Sequence, residues 1–311
     1  MGSSRIQPEI KIIPNTLVAN RLQNGWREFF CYLSFPTTQD MPINTLSWNF
    51  SSPKKHDNVV GGNHPVTKQE LETRRVVIAA LLPPEWDDGE MIVEVSLSQH
   101  NYVYRWAVGT YHQSNSFRLP LEGQVLILGG HRIGEVHRSA WQIASQQMGW
   151  DMIPLHPDGL RILTGTLLQN LRAVDFAAYG CNVLAPAAGR VIKAADGNLD
   201  SAKANEPPKV TNYYLEDLTR ACGNYVIIDH GHGVCSCLAH LRNGSVKVKP
   251  GDKINAGQII GELGNSGFSS GPHLHLHFMD SPDLLKASPL PVELDLEGET
   301  YAPQSGEIVS S

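Results

Sequence analysis

The stretch His273-Leu274-His275-Leu276-His277-Phe278 alternates three imidazoles with three large apolar side chains. Alternation with period two is the pattern of a half-buried strand. It puts His273, His275 and His277 on one face and turns Leu274, Leu276 and Phe278 into a core. Three imidazoles in a row are poor core material, but a neutral ring nitrogen is a common metal ligand. A strand with surface histidines is the plainer reading of an isolated His-x-His. The surroundings weigh against it here, because a chain of tight turns runs into the strand. Val248-Lys249-Pro250-Gly251-Asp252 leads to Ala256-Gly257-Gln258-Ile259-Ile260-Gly261, and then to Gly264-Asn265-Ser266-Gly267.

Upstream lie the strand-like runs Gly223-Asn224-Tyr225-Val226-Ile227-Ile228-Asp229 and Leu238-Ala239-His240-Leu241. Taken together, the order of these pieces from Gly223 to Asp280 resembles the catalytic core of the M23 family of zinc metallopeptidases, the lysostaphin-type and LytM-like endopeptidases. The resemblance reaches back to about His131 and does not cover the first 120 residues. It implies an antiparallel β-sheet peptidase domain, a bound Zn2+, and hydrolysis of peptide bonds, most often in the cross-links or stem peptides of bacterial peptidoglycan. Small Gly-rich proteins are another substrate class of the family. A metal-free M23-like domain acting as a binding or activator module is the alternative function.

A hydrolytic zinc needs three protein ligands and an open position for water. By its place in Pro-His-Leu-His, His275 matches the family's late histidine ligand. The compact early motif, His-x-x-x-Asp, is missing: four residues before Asp175 stands Leu171. An extended variant fits better, with His137-Arg138 and then Gln146-Gln147-Met148-Gly149-Trp150-Asp151. It assigns His137 and Asp151 as the remaining ligands, with His131 and Asp175 as the competing candidates. An Asp between Trp150 and Met152 in a strand-like run is costly to bury unpaired, and a metal offsets that cost. His240 and His273 match the family's two non-ligand histidines. One imidazole can take a proton from water, and a second can stabilise an oxyanion or protonate the leaving amine. His277 is expected beside the metal or at the rim of the site, and His230 and His232 are expected to be exposed.

At 311 residues the chain can hold two domains, each with its own core. A net charge of −6 without a long basic block argues against nucleic acid or an anionic membrane as the main partner. No apolar run reaches the ~18 residues of a spanning helix, so no transmembrane segment is expected. The start Met-Gly-Ser-Ser is not a signal peptide, and the family resemblance points to a periplasmic or extracellular site. The 28 Gly and 20 Pro favour short strands and turns over long helices. Strand-like runs occur at Glu9–Ile13, Glu28–Phe35, Arg74–Leu82, Met91–Ser98, Tyr102–Val108 and Gln124–Leu128. The fold class is therefore mainly β. A β-sandwich-like accessory domain is expected over 1–125, the peptidase domain over 126–292, and a poorly ordered acidic tail over 293–311. Tyr179–Pro186 and Ala187–Ile192 read as a hairpin, and 196–221 as an insertion loop over one rim. Cys235 and Cys237, spaced Cys-x-Cys, read as small core residues; a disulfide involving Cys181 or Cys222 is left open.

Overall fold

In the computed structural model, the described residues are the strands between Lys11 and Gly109, mostly as backbone, and then 111–131, 135, 137, 143–156, 172–204 and 212–311. The chain is mainly β and divides into two compact units, Met1–Tyr111 and His112–Ser311.

The first unit carries β1 (Lys11–Ile13), β2 (Thr16–Val18), β3 (Asn20–Arg21), β4 (Arg27–Ser34), β5 (Thr45–Ser52), β6 (Lys55–Pro65), β7 (Arg75–Leu82), β8 (Gly89–Leu97) and β9 (His100–Gly109). They form two sheets. One has the order β1-β4-β3 with β7 on β4, and the other runs β2-β9-β8-β5-β6. The apolar runs expected from the sequence are five of these strands. The pair β5–β6 escapes detection because Gly61, Gly62 and several polar residues break its alternation.

The second unit is built on one eight-stranded sheet. Its strands are β10 (Gln124–Gly129), β11 (Trp150–Pro154), β13 (Gly189–Ala195), β14 (Asn224–Asp229), β15 (Cys235–Leu241), β16 (Lys253–Ile254), β18 (Leu274–Met279) and β21 (Ile308–Ser310). Their order is β16-β13-β14-β15-β18-β11-β10-β21, and every pairing is antiparallel. Two small sheets accompany it: β12 (Asn182–Leu184) with β17 (Ile259–Glu262), and β19 (Leu294–Leu296) with β20 (Glu299–Tyr301).

The histidine strand β18 lies between β15 and β11, and every one of its residues is buried. Leu274, Leu276 and Phe278 face one side. There Phe117 packs on Phe278 with ring centroids 4.6 Å apart, and Trp150 stands edge-on at 6.5 Å. These three aromatics are the largest fully buried side chains among the described residues. The opposite face continues from the histidines into a small apolar cluster of Cys235, Cys237, Ala239, Met279 and Ile143, among others. Cys235 and Cys237 are thus core residues, and they, Cys181 and Cys222 are free thiols; the Cys31 side chain lies outside the described residues.

Four expectations change. The unit boundary falls at 111/112 rather than 125/126. Phe117, Leu119 and Leu121, which precede β10, are buried in the second unit, and Gln113 exchanges two hydrogen bonds with the backbone of Glu293. The segment 293–311 is not a loose acidic tail. Val292, Leu294, Leu296 and Val309 are buried, and β21 closes the edge of the main sheet on β10. The expected hairpin at 179–192 is not one either. β12 pairs β17, whereas β13 pairs β14 and β16 in the main sheet. The turn between them is held from outside the pair, with Arg118 N–H donating to Pro186 and Ala185 N–H to Gln258. Within 196–221, a helical turn at Asn212–Glu216 and a 3-10 helix at Leu218–Cys222 replace the featureless loop, and 205–211 lie outside the described residues. Among the described residues no helix is long and apolar enough to cross a membrane.

Candidate metal centre

Cross-strand register brings the first two groups together. Asp151 on β11 is directly opposite His275 on β18. Residues opposite each other in an antiparallel pair project to the same face. Trp150 and Met152 therefore point into the apolar core, while Asp151 turns to the histidine side. His137 enters from the segment before β11, its ring edge-on to His275 with centroids 4.5 Å apart.

Three ring nitrogens converge on one carboxylate oxygen, Asp151 Oδ1. His137 Nε2 and His275 Nδ1 are each 3.0 Å away, and His273 Nε2 is 3.4 Å away. One ligand atom from each of His137, Asp151 and His275 lies within 4.8 Å of the other two. A tetrahedral zinc with bonds of about 2.0–2.1 Å separates its ligand atoms by roughly 3.3 Å, so the cluster is near the size such an ion needs. The donor set of two imidazoles and one carboxylate also suits zinc. His137 Nε2 is itself buried without a properly directed hydrogen bond, despite the oxygen 3.0 Å off. A cation shared with Asp151 would satisfy that nitrogen.

The competing candidates sit elsewhere. His131 stacks on Trp150 at 4.6 Å, on the core side of the strand. Asp175 closes a capping box with Arg172 at the start of a short 3-10 helix, well exposed.

Electrostatics follow from burial and proximity. Burial pushes the Asp151 carboxyl upward, but the charges of His137 and His273 outweigh it and hold the group well below the usual carboxylate range. Burial, reinforced by His137, lowers His275 to about 4, which keeps its imidazole neutral and able to ligate. His240 is also driven well below its ordinary value, by burial first and then by His273 and His275. For His273, burial acts downward, yet the Asp151 charge and hydrogen bond prevail and raise it.

The non-ligand pair is aligned by the Gly264–Gly271 loop. His240, the last residue but one of β15, has φ +63°, a left-handed conformation that a side-chain-bearing residue adopts only when its surroundings enforce it. Its Nδ1 lies 2.8 Å from the Ser266 carbonyl, so Nδ1 carries the proton and Nε2 is left as a base. His273 also donates from Nδ1, to the Gly271 carbonyl at 2.7 Å, and differs from His240 in that Asp151 favours a second proton, at Nε2. The two rings are 4.7 Å apart, and His240 is 5.9 Å from His275.

Several supporting residues have weak or no sequence signals. Gly223 and Gly267 press backbone on backbone: a Cβ on Gly267 would stand 2.4 Å from Gly223 N. Asp200 accepts from Asn265 N–H and from Tyr179, and Asn265 in turn accepts from Ser269, which also lies 3.3 Å from His273 Nδ1. Of these, only the Gly-Asn-Ser-Gly turn is visible as a motif. His277 is fully buried beneath His275 rather than at a rim. The expectation of exposure fails for His230 but holds for His232. His230 packs edge-on to Phe117 and bonds the Ala188 carbonyl and Ser236.

The profile of Peptidase family M23 matches residues 169–286, a span that holds His240, His273 and His275 but not His137 or Asp151. The chain is 47% identical over 53 residues to the peptidoglycan DD-endopeptidase ShyA of Vibrio cholerae, covering 17% of this chain and 12% of that protein. It is 31% identical over 103 residues to ShyC of the same organism, also a peptidoglycan DD-endopeptidase, covering 33% of this chain and 20% of the relative. The matches thus span a fifth or less of these relatives' lengths. Among solved structures, the catalytic domain of the antimicrobial peptidase lysostaphin from Staphylococcus simulans overlaps 54% of this chain and 88% of its own. The identity is 20% and the TM-score 0.29, too loose a superposition to add to the sequence match. Within the second unit, residues 169–286 thus match peptidase family M23.

Proposed function

We propose that this protein is a zinc-dependent endopeptidase that cleaves peptide bonds in peptidoglycan cross-links or stem peptides, with His137, Asp151 and His275 as metal ligands and His240 and His273 as catalytic residues. The observation that carries the reading is the convergence of three ring nitrogens on Asp151 Oδ1, beside a second pair of histidines that are not needed as ligands. When bound, zinc would activate water and polarise the scissile carbonyl. His240, kept neutral by burial and donating from Nδ1 to Ser266, takes the water's proton at Nε2. His273, anchored through Nδ1 to Gly271, presents Nε2–H to the carbonyl oxygen as charge develops there. The peptidoglycan substrate is supported by the names of the two Vibrio relatives. On this reading the protein works in the periplasm or outside the cell.

The test is metal analysis of the purified full-length protein, with digestion of cross-linked muropeptides before and after chelation. The expected result is about one zinc per chain, hydrolysis abolished by chelator and restored by zinc, and neither metal nor activity in His275→Ala. A protein that holds no zinc yet binds peptidoglycan would instead be a binding or activator module. Cleavage of Gly-rich peptides with no action on muropeptides would move the substrate to that class.

A further inference from the structure

A chain of buried hydrogen bonds starts at a backbone carbonyl and ends at the metal centre. Ser145 Oγ lies 2.9 Å from the Leu284 carbonyl oxygen, His277 Nε2 lies 3.2 Å from Ser145 Oγ, and His275 Nε2 lies 3.0 Å from His277 Nδ1. Ser145 and His277 are both completely buried, so each bond must be satisfied within the protein.

The direction of every bond in this chain follows from its first member. A carbonyl oxygen only accepts, so the Ser145 hydroxyl donates to Leu284. Ser145 Oγ then has only lone pairs for His277, whose Nε2 must carry a proton. His277 is completely buried and its hydrogen-bond partners are Ser145 and His275, so a charge on it would be buried without a counter-ion; the ring is neutral and its Nδ1 is an acceptor. His275 must therefore donate from Nε2. Being neutral too, it has a bare lone pair at Nδ1, and that atom faces Asp151 Oδ1 at 3.0 Å. Two lone pairs at that separation repel unless a cation lies between them.

We infer that Ser145 and His277 are positioning residues that lock His275 in the Nε2–H tautomer and aim its Nδ1 at the metal. The inference rests on the His137–Asp151–His275 reading of the centre. The 3-10 helix Ala144–Met148 that carries Ser145 is built to lie close to this ring. Its C-cap is Gly149, where a Cβ would stand 2.8 Å from His275 Cε1. Partners that orient a ligating histidine through its other nitrogen typically change metal affinity by about 10–100-fold when removed.

The experiment is competition between apo full-length protein and a chromophoric chelator for zinc, with wild type, His275→Ala, His277→Leu, His277→Asn and Ser145→Ala. Asn places an amide oxygen near the position of imidazole Nδ1, so it keeps the acceptor for His275, and Leu does not. Wild type should bind one zinc and His275→Ala none; zinc-free wild type would overturn the metal centre itself. Given a zinc-binding wild type, His277→Leu should weaken binding about 10–100-fold and His277→Asn should recover most of the loss. Ser145→Ala should show a smaller loss. Unchanged affinity in His277→Leu, or His277→Asn no better than Leu, would overturn the role of His277. Unchanged affinity in Ser145→Ala would end the chain at His277. Long-range 1H–15N spectra of zinc-loaded wild type need no variant to fold. They should show His275 and His277 both protonated at Nε2, and a proton on His277 Nδ1 would refute the chain.

Discussion

Each histidine of the cluster is assigned by what its two nitrogens touch. Those proposed as catalytic spend Nδ1 on a loop carbonyl, whereas His275 points Nδ1 at Asp151. Replacing His240 or His273 with Ala is therefore expected to leave zinc content near one per chain while lowering turnover by ~10²–10⁴-fold. Equilibrium dialysis and muropeptide assays on the same preparations separate the two effects, and near-native turnover in either variant would remove that residue from catalysis. Asp151→Asn should lose zinc, because an amide is a poor ligand and leaves the imidazoles without their charge partner. Asp175→Ala should keep zinc, since that carboxylate is exposed and pairs with Arg172. The reverse outcome would show that the compact motif supplies the ligand after all. Gly149→Ala tests the space beside His275. A methyl group there must push the ring or the helix aside, so zinc affinity should fall while the fold persists in circular dichroism.

The elements matter because strand register and a single loop set the positions of all these rings. Strand β18 supplies His275 and His277 and, just before its first residue, His273; β11 supplies Asp151 and β15 supplies His240. The Gly264–Gly271 loop binds both proposed catalytic rings and is itself clasped against Gly223. Gly267 has φ +76° and no room for a Cβ, so Gly267→Ala should lose about 1–3 kcal/mol from conformational strain alone, with more from the clash. Its catalytic loss should exceed that of an equally destabilised variant remote from the loop. His230, behind the sheet, gives a pH signature of its own. Burial lowers its pKa below the ordinary 6.5, although the Ala188 carbonyl and Asp229 act the other way. Between the lowered folded value and 6.5 the unfolded chain binds a proton that the folded chain does not. This residue's contribution is thus complete above 6.5 and is lost as pH falls. A His230→Asn variant should show a shallower loss of Tm on acidification than wild type. An identical pH profile would show that His230 does not contribute to that dependence.

For the molecule as a whole, the second unit is predicted to stand alone when cut at the boundary seen in the structure. A fragment 112–311 retains Phe117, Leu119 and Leu121 and the Gln113–Glu293 bonds. It should fold cooperatively and bind zinc. A fragment starting at Gln124 loses three fully or almost fully buried side chains, each worth about 1.5–3 kcal/mol of burial. That total rivals the whole stability of a typical domain, so the shorter fragment should be unfolded or aggregated. Thermal melts of the two decide the matter: equal Tm values would place the boundary nearer 125. Comparing 112–311 with the full chain on a soluble peptide and on intact sacculi then reports what the first unit adds. A loss confined to the polymer is the expected result if that unit raises effective concentration at the substrate.

What the sequence determined by itself was local. Alternation placed the histidines of β18 on one face and the Leu/Phe triplet in a core, because side-chain direction along a strand depends only on residue parity. The cost of burying an Asp between Trp150 and Met152 likewise pointed to a partner for Asp151. Five strands of the first unit were readable from apolar runs, whereas β5 and β6, broken by glycines and polar residues, were not. Tertiary structure decided everything that depends on pairing across long loops. Asp151 and His275 are 124 residues apart and meet through one register; a one-residue slip would send the carboxylate into the apolar core. The same kind of long-range pairing put β12 on β17 instead of β13 and made the acidic C-terminal stretch an edge strand. His230 and His232 look alike in a Gly-rich turn. Tertiary contacts with Phe117, Phe278, Ala188 and Ser236 bury the first, while the second is exposed.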